Sequence, residues 1–594
     1  MNVPFKHYAR KAGPALIAIV ALVAILTAYA NPSNARVRGA ANTASLVTAL
    51  TGHVGQVKLG GTLDLRHIPQ ISPSLGQRPA AYRNFSYMPR LSAQQEAAYQ
   101  RKARHFTALP TLPGHKLAIS NAKPQYQIAP VSHNFDGINY NNSNGSGSSC
   151  GCQPPDQALA ANSGFTLEGV NNALAVYNYA GVLQSGYPIS YSAFYSPLLH
   201  SGDFLSDPHL MFDASAGRWV SVMDEINPGT GANPIGGYFD IAISVNGNPL
   251  GSWYYYQINS DLSNGACGSN GCWADFPQLG VDQNGLWITG VLFQNTTGSF
   301  IGNTTMVLAK DNSYFGGSAH YAYYVNIPNG TGAAAYRISP AVEIGTPQGE
   351  FEIASDDGYG GPFTDIVLVA YTGTASIASG TAPHGTYIKI PGLASYADTV
   401  SATQLGGTVP AGAGPAAVQY QGGHLLTAWG SAVNWSGDSA TRDGAYWLDL
   451  TPQLSTLASA NPQNVAGALV NQDNIFGYSG SYVYYPTLEA SSELDEVLNF
   501  NYSNSGIGVG VAYTSRRATD SPNVMGQDNT SSFYAVSGNG LFSGSRWGDY
   551  SACSLSTYQP YVVDGVRGYV WCAGEYSNQS TAFWSTRIYS LRLE

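Results

Sequence analysis

The chain has 594 residues, a formal net charge of −10 and only 10% charged residues, against about 25% in an average globular protein. Residues 1–130 hold 15 Lys and Arg but 2 Asp and Glu, whereas residues 131–594 hold 11 Lys and Arg and 34 Asp and Glu. The resulting net charges of +13 and −23 argue against nucleic acid as a partner of the second region, because phosphate binding needs clustered basic side chains.

The scarcity of basic residues after residue 130 suits a protein that works in acid. When carboxylates become protonated at low pH, few positive charges remain to repel one another. We therefore expect adaptation to acidic conditions. The alternative is that exported β proteins rich in Tyr, Asn and Gly simply contain few lysines.

Residues 1–30 have the pattern of a secretory signal peptide. A basic start is followed by the apolar run "ALIAIVALVAILTAYA", which ends in the small-x-small cleavage site Ala28-Tyr29-Ala30. An uncleaved anchor is the alternative. No later stretch reaches the ~18 apolar residues of a membrane span. The mature protein is expected to be secreted, extracellular and monomeric, with no stable membrane span after signal removal.

Residues 31–130 are basic and rich in Pro, and they predict a mostly irregular N-terminal extension with one helical piece, Ser92–Phe106. One hypothesis is an extended arm that lies on the following domain. The other is a pro-segment, held near neutral pH by its positive charge and released as the carboxylates of the domain become protonated.

Residues 131–594 repeat one pattern. A Pro or a Gly-Asp pair precedes a short alternating strand, a turn and a second apolar run, which is typical of a β-hairpin. The seven runs begin at Pro154, Asp207, Asp275, Ser339, Gly414, Tyr485 and Gly548. Their mean spacing is about 66 residues, enough for four short strands per repeat. The sequence predicts an all-β fold, a single β-propeller that is most simply seven-bladed; six or eight blades stay open.

In a propeller the polar residues that head the inner strands gather at one mouth of the central channel. Such a mouth is a favourable place for a ligand site. The catalytic candidates, which could act as acid and base on a glycosidic bond, are Asp156, Asp207, Asp275 and Asp549. The ligand-binding candidates are His209, Tyr485, Arg546 and Glu575. The alternative is that the aspartates bind backbone amides and lock neighbouring blades together.

The six cysteines predict disulfides, because an even number in an exported chain favours pairing. The predicted pairs are Cys150–Cys152, Cys267–Cys272 and Cys553–Cys572. Zinc is the alternative for Cys150 and Cys152. No metal ligands are assigned and no cofactor is expected, although a structural calcium ion could use Asp203, Asp207 and Asp213.

The order of motifs from residue 131 onward is similar to that in exported bacterial β-propeller proteins of sialidase-like architecture. The resemblance is carried by "QPPD", "SDPHLMFD", "WADFPQLGVDQNGLWITG", "YYPTLEASS" and "SRWGDYSACS". It implies the propeller and export, but no reaction, since most such proteins have no assigned activity. Sialidase motifs such as Ser-x-Asp-x-Gly-x-x-Trp are absent from this sequence.

These features together predict a secreted propeller that binds or cleaves an extracellular polysaccharide at the channel mouth. If it is an enzyme, it is a glycan-active hydrolase or lyase. One alternative is a non-catalytic scaffold at a cell surface or in a matrix. Another is an acid hydrolase of peptide or another polymer with a removable basic pro-segment.

Overall fold

The computed structural model describes residues 36–38, 47–68, 109, 111–112, 131–141, 154–231, 233–261, 267–356, 358–412, 417–455, 462–526, 534–544, 547–556, 568–579 and 584–593. Within these ranges nearly all regular structure is β-strand, as the sequence predicts. The signal peptide, the helix predicted at Ser92–Phe106 and the pair Cys150–Cys152 lie outside the described residues and stay predictions.

Most of the described strands form seven antiparallel sheets of four consecutive neighbours. Sheet 1 contains Ala158–Ala161, Phe165–Val170, Ala173–Asn178 and Ile189–Ser190. Sheet 2 contains Phe204–Asp213, Arg218–Asn227, Gly236–Ser244 and Ser252–Asn259. Sheet 3 contains Cys272–Val281, Gly285–Gln294, Phe300–Ala309 and Ala319–Val325. Sheet 4 contains Arg337–Ile344, Gly349–Ser355, Phe363–Thr372 and His384–Tyr396.

The other three sheets follow the same plan. Sheet 5 contains Val418–Gln421, His424–Trp435, Thr441–Leu454 and Val465–Phe476. Sheet 6 contains Tyr482–Ala490, Glu496–Asn504, Ile507–Arg516 and Tyr534–Gly538. Sheet 7 contains Ala552–Ser556, Gly568–Ser577, Trp584–Leu593 and, from the start of the domain, Val131–Asn139. Six of the seven predicted hairpins therefore contain the first two strands of a sheet, and the last contains the first strand of sheet 7.

The first strand of each sheet, here called the inner strand, contacts the inner strands of the sheets before and after it. This chain of contacts returns from sheet 7 to sheet 1, so the inner strands form a closed ring. A ring of four-stranded antiparallel sheets is a β-propeller, and the fold class predicted from the sequence is confirmed.

Buried apolar clusters hold the sheets together, and each consecutive pair of sheets shares one, including sheets 7 and 1. All ten tryptophans of the chain are less than 2% exposed. Large aromatic rings contribute much of the buried area of such a core. Most of the aromatic content that the sequence shows is thus used in packing between the sheets.

Residues 47–68 of the N-terminal extension form a segment that we call the belt. Its strand Thr48–Ala49 pairs with the outer strand of sheet 4, His53–Val57 with that of sheet 3, and Gly61–Asp64 with that of sheet 2. Each pairing is antiparallel and places a fifth strand on an otherwise unpaired sheet edge, which protects backbone groups that could pair with another chain. This part of the extension is therefore regular structure integrated into the propeller.

The remaining elements are short. Thr111–Leu112 pairs in parallel with the second strand of sheet 5, and Ala402–Gln404 and Gly407–Val409 form a hairpin. One more strand is Arg36–Arg38; the α-helices are Tyr191–Phe194 and Lys310–Ser313, and the 3-10 helices are Leu65–His67, Gly268–Asn270 and Thr374–Ser379. No helix in the described part of the chain is long and apolar enough to cross a membrane.

Two of the three predicted disulfides lie within the described residues, and both are present. Cys267 and Cys272 close the loop that leads into sheet 3, with Cα atoms 5.3 Å apart. Cys553 and Cys572 face each other on the first two strands of sheet 7, with Cα atoms 4.1 Å apart. Both pairings agree with the sequence analysis.

The pairing of the belt with the propeller can be tested by introducing a larger side chain at Gly55. A Cβ atom at this position would lie 2.4 Å from the ring of Tyr321, the residue that pairs with Gly55 on sheet 3. We expect Gly55→Val to destabilise the protein by about 1–3 kcal/mol through overpacking, and to increase proteolysis within residues 47–68. Thermal unfolding and limited proteolysis check this. Val54→Thr is the control, because Val54 on the same strand is 52% exposed. A wild-type melting temperature for Gly55→Val would support a removable pro-segment instead.

Candidate functional site

A repeated bulge shapes one end of the inner strands. In sheets 2, 3 and 6 the register skips an X-Pro pair, which is Asp207-Pro208, Phe276-Pro277 and Tyr485-Pro486. Proline has no N–H group for the sheet, and bulges change the direction of side chains. The residue before each proline has a left-handed backbone, with φ of 53° at Asp207, 56° at Phe276 and 48° at Tyr485. Asp156 of sheet 1 also has a positive φ, of 47°.

The position of the bulge shows that the repeat alignment used in the sequence analysis was shifted by one residue between sheets 2 and 3. The sequence analysis treated Asp207 and Asp275 as equivalent heads. In the structure Asp207 corresponds to Phe276, since each precedes the bulge proline with a positive φ. Asp275 therefore takes the position of Ser206, the last paired residue before the bulge.

Asp156 joins neighbouring sheets at this end of the ring. Its carboxylate accepts hydrogen bonds from Asn171 Nδ2 at 2.5 Å and from the backbone N–H of Asp549 at 2.8 Å. Asn171 Oδ1 in turn accepts the backbone N–H of Asp207 at 2.7 Å. Sheets 7, 1 and 2 are thus tied together, which is the locking role that the sequence analysis offered as the alternative to catalysis.

Three carboxyl groups converge beside this lock. One oxygen from each of Asp207, Asp224 and Asp275 lies within 4.8 Å of the other two. Asp224 is on the second strand of sheet 2, opposite Ser206, and is fully buried, whereas Asp275 is half-buried. Neither carboxyl oxygen of Asp224 has a hydrogen-bond partner among the described residues. Burial, followed by the negative charges of Asp275 and Asp207, raises the pKa of Asp224 well above its usual range. We call these three residues the carboxyl cluster.

Aromatic side chains surround the cluster. The Tyr550 ring lies 4.8 Å from His209 and 5.4 Å from Phe276, measured between ring centroids. The Arg337 guanidinium lies 3.6 Å from the Phe276 centroid, a cation–π contact. Burial lowers the pKa of His209 to about 3, so this imidazole stays neutral through most of the acidic range. Burial also raises the pKa of the Tyr550 phenol, and Asp207 and Asp156 raise it further.

A cavity of about 360 Å³ lies on the axis of the ring. It is lined by residues 157–159, 209–215, 279, 281, 342–345, 417–418, 489 and 550–555, which lie in or next to the inner strands of all seven sheets. Its volume is within the ~300–1,000 Å³ of typical small-molecule sites. His209 and Tyr550 line this cavity and also lie beside the carboxyl cluster, whose own three members do not line it.

The other predicted site residues are not members of the carboxyl cluster. Asp549 is half-buried and its N–H is bonded to Asp156. Glu575 is 1% exposed and faces Gly548, and burial followed by the charge of Asp549 raises its pKa. Tyr485 is 6% exposed and donates to the Pro410 carbonyl at 3.4 Å. Arg546 lies outside the described residues. Asp549 stays a prediction as a catalytic residue, and Tyr485, Arg546 and Glu575 stay predictions as ligand contacts.

The three aspartates considered for calcium are not brought together. Asp213, at the far end of the strand that carries Asp207, forms an ion pair with Lys310 at 2.5 Å and accepts from Tyr314 at 2.8 Å. Asp203 precedes this strand and groups with His200 and Glu225. The prediction that Asp203, Asp207 and Asp213 together could bind a calcium ion is therefore wrong.

The sequence analysis missed Asp224, Tyr550 and Arg337. A signal for Asp224 exists in "RWVSVMDEI", where a carboxylate interrupts the apolar second strand of a hairpin. A buried charge in such a strand needs a partner or a raised pKa. Tyr550 and Arg337 carry no comparable local signal, because their importance comes from neighbouring sheets.

No protein-family profile matches the chain, and no curated protein matches it significantly. Among solved structures, it is similar to the α-L-arabinanase of Cellvibrio cellulosa in complex with arabinohexaose (8% identity, TM-score 0.28, 64% of this chain and 98% of that one). It is also similar to the GH93 α-L-arabinofuranosidase of Fusarium graminearum (8% identity, TM-score 0.30, 80% of this chain and 97% of that one). A third similar structure is Trypanosoma rangeli sialidase in complex with sialic acid (12% identity, TM-score 0.28, 70% of this chain and 57% of that one). Similarity at this level does not extend to a common substrate or reaction.

The locking role of Asp156 gives a direct test. Asp156→Ala removes the acceptor for two buried donors, Asn171 Nδ2 and the Asp549 N–H, and places alanine at a positive φ. We expect a loss of about 2–4 kcal/mol of stability, measured by thermal or denaturant unfolding. Asp156→Asn should lose less, because asparagine tolerates this backbone and keeps one acceptor. Unchanged stability in the alanine variant, together with lost activity, would assign Asp156 to catalysis instead.

Proposed function

We propose that this protein is a glycan-active hydrolase that cleaves a polysaccharide at the mouth of its axial cavity and retains the anomeric configuration. The observation that carries the proposal is the carboxyl cluster, in which a buried Asp224, whose pKa burial raises well above its usual range, lies beside the half-buried Asp275. Carboxyl groups whose surroundings separate their pKa values are the usual source of an acid and a base in one site.

The spacing favours the retaining reaction. Retaining glycosidases place their two carboxyl groups about 5–5.5 Å apart, and inverting enzymes about 6.5–9.5 Å apart. In the cluster, one oxygen of each carboxyl group lies within 4.8 Å of one oxygen of the other two, and we base the retaining assignment on this close approach. Asp275 is the most accessible member and is assigned as the nucleophile. Asp224 and its neighbour Asp207 form the proton-donating side.

The proposed reaction has two steps. Asp275 attacks the anomeric carbon while the proton held on the Asp224–Asp207 side moves to the leaving-group oxygen, so the glycosidic C–O bond breaks and a glycosyl ester forms. A water molecule then hydrolyses the ester and restores both carboxyl groups. The half-buried ring of Phe276, supported from behind by the buried Tyr550, is the apolar surface against which a sugar ring would lie.

Acid adaptation is supported by the buried carboxyl groups. Among the described residues, burial is the largest cause of a raised pKa at twelve of them: Glu168, Asp203, Asp224, Asp240, Glu343, Glu350, Glu352, Asp356, Asp443, Glu489, Glu496 and Glu575. At low pH these groups are neutral in both the folded and the unfolded protein, so their burial does not oppose folding. Secretion is supported by the two disulfides, which persist in oxidising compartments.

A non-catalytic glycan-binding scaffold is the second candidate. It is favoured by the full burial of Asp224, since a general acid must come within hydrogen-bond distance of the glycosidic oxygen. In such a scaffold the cluster would serve only to hold sheets 2 and 3 together.

Asp224→Asn separates the two candidates. Because burial raises the pKa of Asp224 well above its usual range, asparagine should replace it at acidic pH with little change in charge or volume, and we expect a melting temperature close to wild type. The proton donor is lost, so kcat should fall by about 10²–10⁴-fold. The assay is a panel of polysaccharides at pH 3–5, with NMR of the first product to identify its anomer.

Asp443→Asn is the matched control. Asp443 in sheet 5 is equally buried, and burial raises its pKa well above the usual range. Its substitution should leave both activity and stability near wild type. Glycan binding without cleavage in the wild type, or full activity in Asp224→Asn, would favour the scaffold. An inverted product would exclude the retaining assignment.

The stability of the protein should decrease as the pH rises from about 4 to about 8. The raised pKa values, about 8 for Glu352 and Glu489 and about 7 for Asp356 and Glu496, lie above those of an unfolded chain. The stability that these protonated groups give the folded state is therefore complete below the pKa they have in the unfolded chain. It is lost as the pH rises through the pKa they have in the folded protein. We expect the melting temperature to be about 10 °C higher at pH 4 than at pH 8. Glu352→Gln and Glu489→Gln should flatten this slope, and a melting temperature that rises toward pH 7 would contradict acid adaptation.

A further inference from the structure

A second group of carboxyl side chains lies on the opposite face of sheet 2 from Asp224. Glu225 is the next residue on the same strand, and consecutive side chains of a strand point to opposite faces. Its Oε1 accepts the backbone N–H of His200 at 3.0 Å and lies 2.7 Å from His200 Nδ1. The His200 ring is stacked on Tyr238 at 4.9 Å, which fixes its plane.

Two further carboxyl groups face Glu225. Asp203 has a carboxyl oxygen within 4.8 Å of a Glu225 oxygen, and Asp240 on the third strand is joined to Glu225 through Gln257. Gln257 Nε2 donates to Glu225 Oε2 at 3.0 Å and to Asp240 Oδ1 at 2.8 Å. The other oxygen of Asp240, on a side chain with no exposed surface, has no hydrogen-bond partner among the described residues.

This group has too few positive neighbours for its charge. Within the described part of the chain no Lys or Arg forms an ion pair with Asp203, Glu225 or Asp240; the partner of Glu225 is His200. Uncompensated buried carboxylates are costly. They require protons or a bound cation, and the buried carboxyl group of Asp240 adds to this requirement.

We propose that His200, Asp203 and Glu225 bind one divalent transition-metal ion, with Zn²⁺ as the representative and the buried carboxyl group of Asp240 next to the ligands. Ligand atoms of the first three residues all lie within 4.8 Å of one another. An imidazole combined with carboxylates suits zinc and related first-row ions, whereas Ca²⁺ and Mg²⁺ prefer oxygen ligands alone. The His200 side chain is 50% exposed, which gives the ion a path from solvent. The site is independent of the proposed reaction, because it lies on the other face of the sheet.

The test uses the full-length protein without a histidine tag, after a chelator has removed bound metal. The protein is titrated with Zn²⁺ at pH 7.5, because metal ligands must lose their protons to bind the ion. Calorimetry should show one ion per chain with a Kd below about 1 μM, and saturation should raise the melting temperature. X-ray absorption of the loaded protein should show one nitrogen ligand of the imidazole type together with oxygen ligands. Ca²⁺ under the same conditions should bind at least tenfold more weakly.

Glu225→Gln and His200→Asn should each weaken Zn²⁺ binding at least tenfold. His200 is half-exposed, so its substitution keeps the test valid if the Glu225 variant does not fold. His424→Asn is the control, because His424 also lies beside a carboxylate, Asp449, at 2.8 Å, but in sheet 5. The proposal is overturned if no saturable binding occurs, if binding survives in His200→Asn, or if His424→Asn abolishes it.

Discussion

The structure depends on the pairing of Val131–Asn139 with Trp584–Leu593, because this contact closes the ring. It supplies the fourth strand of sheet 7 from the opposite end of the domain. Glu168 of sheet 1 secures the closure: its carboxyl group accepts the N–H of Ile138 at 2.9 Å and also contacts the hydroxyl of Thr586. Without the closure, the apolar cluster shared by sheets 7 and 1 would be open to water, and the inner strands would have no common axis.

Closure also explains why the candidate site lies where it does. The inner strands point their starting residues at one axis, and the X-Pro bulges change the direction of the backbone there. Contacts between residues far apart in sequence follow, such as Asp156 with Asp549. The same few aspartates thus hold sheets together and gather negative charge. This explains why locking and catalysis were hard to separate from sequence: Asp156 bonds across neighbouring sheets, while Asp224 belongs to the carboxyl cluster.

The parts of the fold that local patterns encode could be predicted. The hairpins follow from alternating apolar residues and turn residues, and both described disulfides follow from cysteines placed on one loop or on neighbouring strands. The belt could not be predicted, because its strands are two to five residues long and pair with sheet edges that lie hundreds of residues away. The one-residue offset between Asp207 and Asp275 depends on the bulge register, which a single sequence does not reveal. Asp224 had a local signal, but its partners come from the ring.

The adjacent residues Asp224 and Glu225 link the carboxyl cluster to the group of carboxyl side chains on the other face of sheet 2. They place carboxyl groups on both faces of one strand, in a domain with only 11 basic residues to neutralise 34 acidic ones. Lys310 and Arg516 are paired with Asp213 and Glu496, so few basic side chains remain for the other buried carboxyl groups. Such groups can be neutralised in two further ways, by protons or by metal ions. Protons suffice at low pH. Near neutral pH the same groups must either take up cations or weaken the fold, so the proposed acid adaptation and the proposed metal site on sheet 2 both follow from one shortage of positive charge.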